Sequence, residues 1–238
     1  MKGSERLRGI KAISFDGDMT LWDFEKVMRH ALGFALQELR RRLPGQTIVA
    51  LTIDKMIELR NRVAAELKGR VTNLEQIRLL AFVRTVEYVG ESDKNLAADL
   101  NAIYLKHRFE DIELYPDVLP TLDALGPRFR LGLISNGNSY LERCGLAERL
   151  VFVVFSQDVG CEKPQKEIFQ VACSRAGCRS EELMHVGDSL ASDVAGASVV
   201  GAVSVWLNRN GQINSTNIKP DIEIGSLESL IGILNGMP

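Results

Sequence analysis

Apolar residues fall into two rhythms along this chain, and the change from one to the other divides it. Short, mainly apolar runs occur at Ile10 to Phe15, Leu131 to Ile134, Leu150 to Phe155, Leu183 to Val186 and Val199 to Leu207. Strands buried on both faces of a parallel sheet have this character. From Leu114 onward the runs alternate with helical patterns, and right-handed crossovers between successive strands then predict a doubly wound sheet with helices on both faces. The expected fold class is α/β, a Rossmann-like doubly wound parallel sheet with an α-helical domain inserted after its first strand.

Between Phe15 and Leu114 no strand-like run appears, and amphipathic helices follow one another. In the first, Val27, Ala31, Phe34, Ala35 and Leu39 share a face, Asp23 is the expected N-cap, and Pro44-Gly45 ends the pattern. A second fits Ile53 to Leu67, with Gly69 placed to stop it. A third opens on the capping-box pattern Thr72-Asn73-Leu74-Glu75 and runs to Tyr88 before Gly90. A fourth fits Asp93 to Lys106. Helices inserted into a regular alternation predict a separate bundle joined by two linkers, near Trp22-Asp23 and at Glu113 to Pro116, which together make a hinge. The expected domains are 1–22 with 115–238 for the sheet and 23–114 for the bundle.

Composition narrows the partners more than the fold. With 238 residues, 45% apolar and 25% charged, the chain reads as an ordinary soluble globular protein. A net charge of −2 offers no general attraction for nucleic acid or an anionic membrane. Arg40-Arg41-Arg42 sits where cations offset a helix macrodipole and is expected to face solvent. Cys144, Cys161, Cys173 and Cys178 form no CxxC pair and are read as small buried residues. The N-terminus is charged without an apolar segment, and Leu150 to Phe155 is far too short to span a bilayer, so a cytoplasmic location is expected. Oligomeric state is not legible.

The chemistry-bearing residues cluster just past the strand-like runs. Asp16-Gly17-Asp18-Met19-Thr20 follows the first, placing two carboxylates and a hydroxyl where open α/β sheets bind ligands. Acids and glycine at that spacing also suit an ordinary turn. Ser135-Asn136-Gly137 follows the second, a hydroxyl with main-chain amides suited to phosphate oxygens. Lys163, in Glu162-Lys163-Pro164, precedes a helix through Ile168 and Phe169. Gly187-Asp188-Ser189 follows the fourth, with Asp193 five residues beyond Asp188. His185 reads as a core histidine, and His30 and His107 as helix-surface residues. Trp22 and Phe24, at the entry linker, are candidates either to touch substrate or to pack the linker.

In this order and spacing, Asp16-x-Asp18-x-Thr20, Ser135-Asn136-Gly137, Lys163-Pro164 and Gly187-Asp188 with Asp193 resemble the haloacid dehalogenase superfamily, in its members with a helical cap after the first motif. Val205 to Arg209 and Pro220-Asp221 resemble the family's C-terminal segment. The resemblance covers nearly the whole chain and is weakest in the cap. Met19 departs from it, standing where the family usually has glycine, so a larger side chain narrows the pocket floor or alters the turn.

The resemblance implies a magnesium-dependent phosphatase acting on a small phosphorylated metabolite. Asp16 is the implied nucleophile, Asp18 the acid and then base, and Lys163 the cation beside the transferring group. Magnesium is implied to bind Asp16, Asp188 and the main-chain carbonyl of Asp18, with Asp193 and Ser189 behind them. Thr20, Ser135, Asn136, Gly137 and Lys163 are implied to hold phosphate. A dehalogenase is the main rival; it attacks carbon, needs neither magnesium nor a proton donor, and leaves Asp18 without a use. A phospho-accepting receiver, or a catalytically silent binding module, shares the sheet and the acceptor carboxylate, but needs no cap.

Overall fold

The computed structural model describes residues 6–43, 45–67, 71, 73–139 and 141–236. Pro44, Gly69 and Thr72, named above as helix signals, lie outside them. The chain forms two compact units, Phe24–Ile112, and Met1–Asp23 with Glu113–Pro238.

The first unit is helical, with α1 (Phe24–Arg42), α2 (Gln46–Ala50), α3 (Ile53–Leu67), α4 (Leu74–Tyr88) and α5 (Lys94–Glu110). Its core joins Met28, Ala31, Leu32, Ala35, Leu36 and Leu39 of α1 to Phe82 and Val86 of α4 and to Leu96, Leu100 and Tyr104 of α5. Phe34 was expected on that face but lies only half-buried at its edge, stacked on the His107 ring. Asn73 caps α4 by accepting from the Glu75 and Gln76 amides at 2.9 and 3.3 Å. Asp93 caps α5 in the same way through the amides of Asn95 and Leu96. A left-handed Gly90, φ +88°, follows α4 as anticipated. Of the arginine triplet, Arg41 and Arg42 are bound by Glu38, Arg42 also by Asp99, and Arg40 donates to the Leu51 carbonyl.

The second unit carries β1 (Ala12–Phe15), β2 (Arg130–Ser135), β3 (Phe152–Phe155), β4 (Leu183–Gly187), β5 (Val203–Leu207) and β6 (Ile222–Ile224). Its helices are α6 (Val118–Leu125), α7 (Ser156–Val159), α8 (Lys166–Ala176), α9 (Ala195–Val200) and α10 (Ser229–Asn235). All six strands are parallel, in the order β3-β2-β1-β4-β5-β6. β1 is first in the chain yet lies inside the sheet, because later strands add to both of its edges. Strand order reverses there, and crevices at such a switch point bind ligands. On one side Ile168, Phe169, Ala172, Cys173 and Ala176, one face of α8 at helical spacing, pack against Ala12, Ile134, Val154 and Leu183. Burying Ile168 and Phe169 fully contributes about 1.5–3 kcal/mol each.

Three readings need correction. Val199 and Val200 belong to α9, which ends at left-handed Gly201, so β5 begins only at Val203. β6 was not anticipated, since three residues with Glu223 in the middle make no apolar run. All four cysteines are free, but only Cys173 is buried; the others are half-buried. Among the described residues no helix is long and apolar enough to cross a membrane.

Candidate active site

Strand register brings the first carboxylate to its neighbours. Phe15 is level with Leu133 of β2 and Val186 of β4, so Asp16, the next residue, emerges between Ile134 and Gly187. Its amide donates to the Val186 carbonyl at 2.8 Å. Lys163, 3% exposed, reaches this point from the loop before α8. Its ammonium donates to Asp16 Oδ1 at 2.5 Å, Asp193 Oδ1 at 2.7 Å and the Ile134 carbonyl at 2.7 Å, which engages all three of its protons. Asn136 fixes the lysine's backbone: Oδ1 accepts from the Lys163 amide at 2.7 Å and Nδ2 donates to the Lys163 carbonyl at 3.0 Å. The Asn136 side chain thus positions Lys163, a task separate from the main-chain amides expected to face phosphate.

Asp193 sits on a π-helical turn, Leu190–Val194, a widened turn of the kind frequent at functional sites. A Cβ on Gly187 would lie 2.2 Å from Asp193 Cγ, so only glycine allows the carboxylate so close to the strand end. Asp193 Oδ1 receives Lys163 and the His185 Nε2 at 3.1 Å, and Oδ2 receives the Ser189 amide at 3.0 Å. An ionised carboxylate only accepts, so His185 carries its proton on Nε2 and takes the Ser14 hydroxyl on Nδ1 at 2.8 Å. His185 is thus a satisfied buried histidine whose task is to orient Asp193. Ser189 also accepts from the Ser192 amide, closing the turn.

With both oxygens of Asp193 engaged, Asp16 and Asp188 are the carboxylates able to reach a cation, within a set of three whose oxygens lie inside 4.8 Å. Trp206 fixes the Asp188 backbone by donating to its carbonyl at 2.9 Å. Burial pushes Asp16 up to about 8, against the pull of Lys163 and helped by Asp193 and Asp18. Burial and then Asp193 push Asp188 up to about 6. Burial works the same way on Asp193, but Lys163 and His185 outweigh it and hold that group below the ordinary carboxylate range. Lys163 stays charged because Asp16 and Asp193 overcome its own burial. An all-oxygen, net-anionic set of this kind fits a hard divalent cation such as magnesium.

Asp18 is held by its own turn. Trp22 Nε1 donates to Asp18 Oδ1 at 2.7 Å, and Trp22 is 1% exposed, so this tryptophan orients the acid and packs the linker. Phe24 belongs to the helical unit, where Arg60 and Arg108 lie over its ring. Gly137 is required by Asp18, since a Cβ there would lie 2.7 Å from Asp18 Oδ2. Ser135 Oγ accepts from the Gly137 amide at 3.0 Å, which engages a donor expected to face phosphate. Thr20 is fully buried and its hydroxyl has no hydrogen-bond partner among the described residues. Met19 takes φ +65°, the one non-glycine residue with positive φ among those described. It lines a cavity of about 320 Å³ together with Tyr115, Asp188, Trp206, Arg209 and Gln212.

Sequence reasoning missed two supports. Trp206 was noted only as part of a C-terminal segment, and Arg209 was given no partner. Arg209 makes a two-pronged pair with Asp117 at 2.8 and 2.9 Å, donates to the Thr20 carbonyl at 3.0 Å and lies over the Tyr115 ring. Both stand at the end of an apolar run, where strand-end position was the available signal.

The family model of haloacid dehalogenase-like hydrolases matches residues 10–201, and the chain belongs to this family of hydrolases. It is 29% identical to the glyceraldehyde 3-phosphate phosphatase of Methanopyrus kandleri over 94% of this chain and 97% of that protein. It is 31% identical to the protein of the same name from Methanothermobacter thermautotrophicus, over 84% of this chain and 86% of that one. Among solved structures, the 2-haloacid dehalogenase of Pseudomonas syringae superposes with a TM-score of 0.80 at 30% identity, covering 96% of this chain and all of that one.

Proposed function

We propose that this protein is a divalent-metal-dependent phosphatase that hydrolyses a small phosphomonoester through phosphorylation of Asp16. The observation that carries the reading is Asp18, a carboxyl group two residues from the nucleophile and held in place by Trp22. A departing alkoxide needs a proton and a departing halide does not, so this acid has a use in phosphate ester cleavage and none in dehalogenation. The two archaeal relatives are named for glyceraldehyde 3-phosphate, which makes a triose phosphate the first substrate to test.

Lys163 binds Oδ1 of Asp16 and thereby leaves Oδ2 to meet phosphorus in line with the ester oxygen. Asp18 protonates that oxygen as it departs, leaving a phosphorylated Asp16 and a released alcohol. Asp18, now ionised, takes a proton from the water that attacks the phosphoryl group, which regenerates Asp16 and releases inorganic phosphate. Asp16, Asp188 and the main-chain oxygen of Asp18 would hold magnesium, and the bound cation would supply neutralisation of the phosphoryl oxygens. Asn136, His185 and Asp193 keep Lys163 fixed, so the cation needs no reorganisation during transfer.

The test is phosphate release from a panel of phosphomonoesters with magnesium, run beside halide release from 2-chloropropionate. Phosphate turnover that Asp16→Asn abolishes is the expected result. Halide release without phosphate release from any ester would overturn the proposal.

A further inference from the structure

Two histidines of the helical unit that look unremarkable in sequence converge on one oxygen. His30 projects from α1 and His107 from the last turn of α5, and Asp111 follows that helix directly. Asp111 Oδ2 lies 2.9 Å from His30 Nε2 and 2.9 Å from His107 Nδ1. The three donor atoms fall within 4.8 Å of one another. Phe34 fixes both rings, stacking on His107 at 3.6 Å with 5° between planes and meeting His30 edge-on at 5.1 Å. His30 is 50% exposed and Asp111 36%, so an ion reaches the cluster from solvent.

We propose that His30, His107 and Asp111 form a binding site for a transition-metal dication of the zinc, cobalt and nickel class. Imidazole and carboxylate are the ligands such ions favour, whereas magnesium prefers oxygen alone. Metal–ligand bonds of about 2.0–2.1 Å at tetrahedral angles place donors roughly 3.3 Å apart. The observed 2.9 Å separations therefore need to widen by about 0.4 Å, a small side-chain adjustment. Two histidines and one carboxylate leave a fourth position for water. Pairing of Asp111 with its helix end does not explain the arrangement, because a carboxylate there opposes the helix dipole and His107 alone would offset it. The second histidine comes from another helix, so a bound ion ties α1 to the end of α5. The two metal sites of the protein then differ in chemistry: all-oxygen for the hard ion, imidazole-rich for the transition ion.

The experiment is calorimetric titration of the full chain with zinc chloride in millimolar magnesium, paired with visible spectra of the protein titrated with cobalt. One zinc per chain binding in the presence of magnesium, with cobalt d–d bands of imidazole ligation, is expected for wild type and for Asp16→Asn. His30→Ala and His107→Ala should each weaken zinc by at least roughly tenfold and abolish the bands. His107→Ala disturbs the Phe34 stack, so His30→Ala, an exposed position, decides alone if the former fails to fold by far-UV circular dichroism. Zinc affinity unchanged in His30→Ala, loss of the site in Asp16→Asn, or displacement by magnesium would each overturn the proposal.

Discussion

Replacing Asp193 by asparagine keeps the shape of the side chain and reverses part of its hydrogen bonding. The carboxylate accepts from three donors, Lys163 and His185 on Oδ1 and Ser189 on Oδ2. Asparagine has one accepting oxygen and one NH2 group. If the oxygen faces Lys163 and His185, the NH2 meets the Ser189 amide; if it turns over, the NH2 meets the ammonium. Neither orientation satisfies the site, and Gly187 leaves no room to move away. Breaking one partner of a buried ion pair costs about 3–5 kcal/mol, and each kcal/mol lowers the melting temperature of a unit this size by roughly 2–4 °C. A fall of about 6–20 °C is expected for Asp193→Asn, read by far-UV circular dichroism in chelator at pH 7. The sign of the pH effect follows from the depressed ionisation of Asp193. Its stabilisation is complete above the unfolded carboxylate value of ~3.9 and is lost as pH falls from there through the lower folded value, so the two proteins converge only in strong acid. Unfolding free energies within about 1 kcal/mol of each other at pH 7 would refute the view that Asp193 anchors Lys163.

Asp18→Asn should lower turnover of an alkyl phosphate by roughly 100- to 10,000-fold and of an aryl phosphate by less in the first step, because a good leaving group needs less protonation. Steady-state assays on both esters check it, and equal losses would remove Asp18 as the acid. Met19→Gly relieves the left-handed strain at φ +65° and should raise the unfolding free energy by about 1 kcal/mol in urea titrations, a fall showing instead that Met19 packing dominates. Protons on Asp16 and Asp188, pushed up to about 8 and about 6, compete with the cation. Magnesium affinity should therefore weaken as pH drops from 8 to 6, and binding at pH 7 should release protons, seen as a calorimetric heat that changes with the buffer's ionisation enthalpy. Identical heats in two buffers would contradict it.

The sheet was legible because its strands are buried on both faces and therefore read as predominantly apolar runs, as in β1 and β4, where every residue is buried even though Ser14 and His185 are polar. The same rule fails at an edge: β6 alternates and is only three residues long. Helix interiors were legible from their period, α3 being matched end to end. Caps were less so, since Asn73 and Thr72 both suit the role and only local geometry gives it to Asn73. His30 and His107 lie far apart in the chain, and no local pattern shows that helix packing joins them.

The groups expected to do chemistry and the groups that place them differ in how they are encoded. Asp16, Asp18 and Asp188 stand at strand ends, where an apolar run followed by an acid is visible, and Lys163 shows in Lys163-Pro164 just before a helix. Their placement depends on pairings across the fold, such as Ser14 with His185 and His185 with Asp193, whose members lie within apolar runs or on turns and look structural in isolation. Asn136 shows how a partner across the fold gives a side chain its task. Beside Ser135 and Gly137 its main-chain amide suits phosphate, while its two side-chain amide atoms match the carbonyl and N–H of one residue, Lys163. A side chain that donates and accepts can bracket a peptide in a way that a hydroxyl or carboxylate cannot. The asparagine is therefore explained by the lysine it positions, and the lysine by three acceptors that hold it charged without solvent.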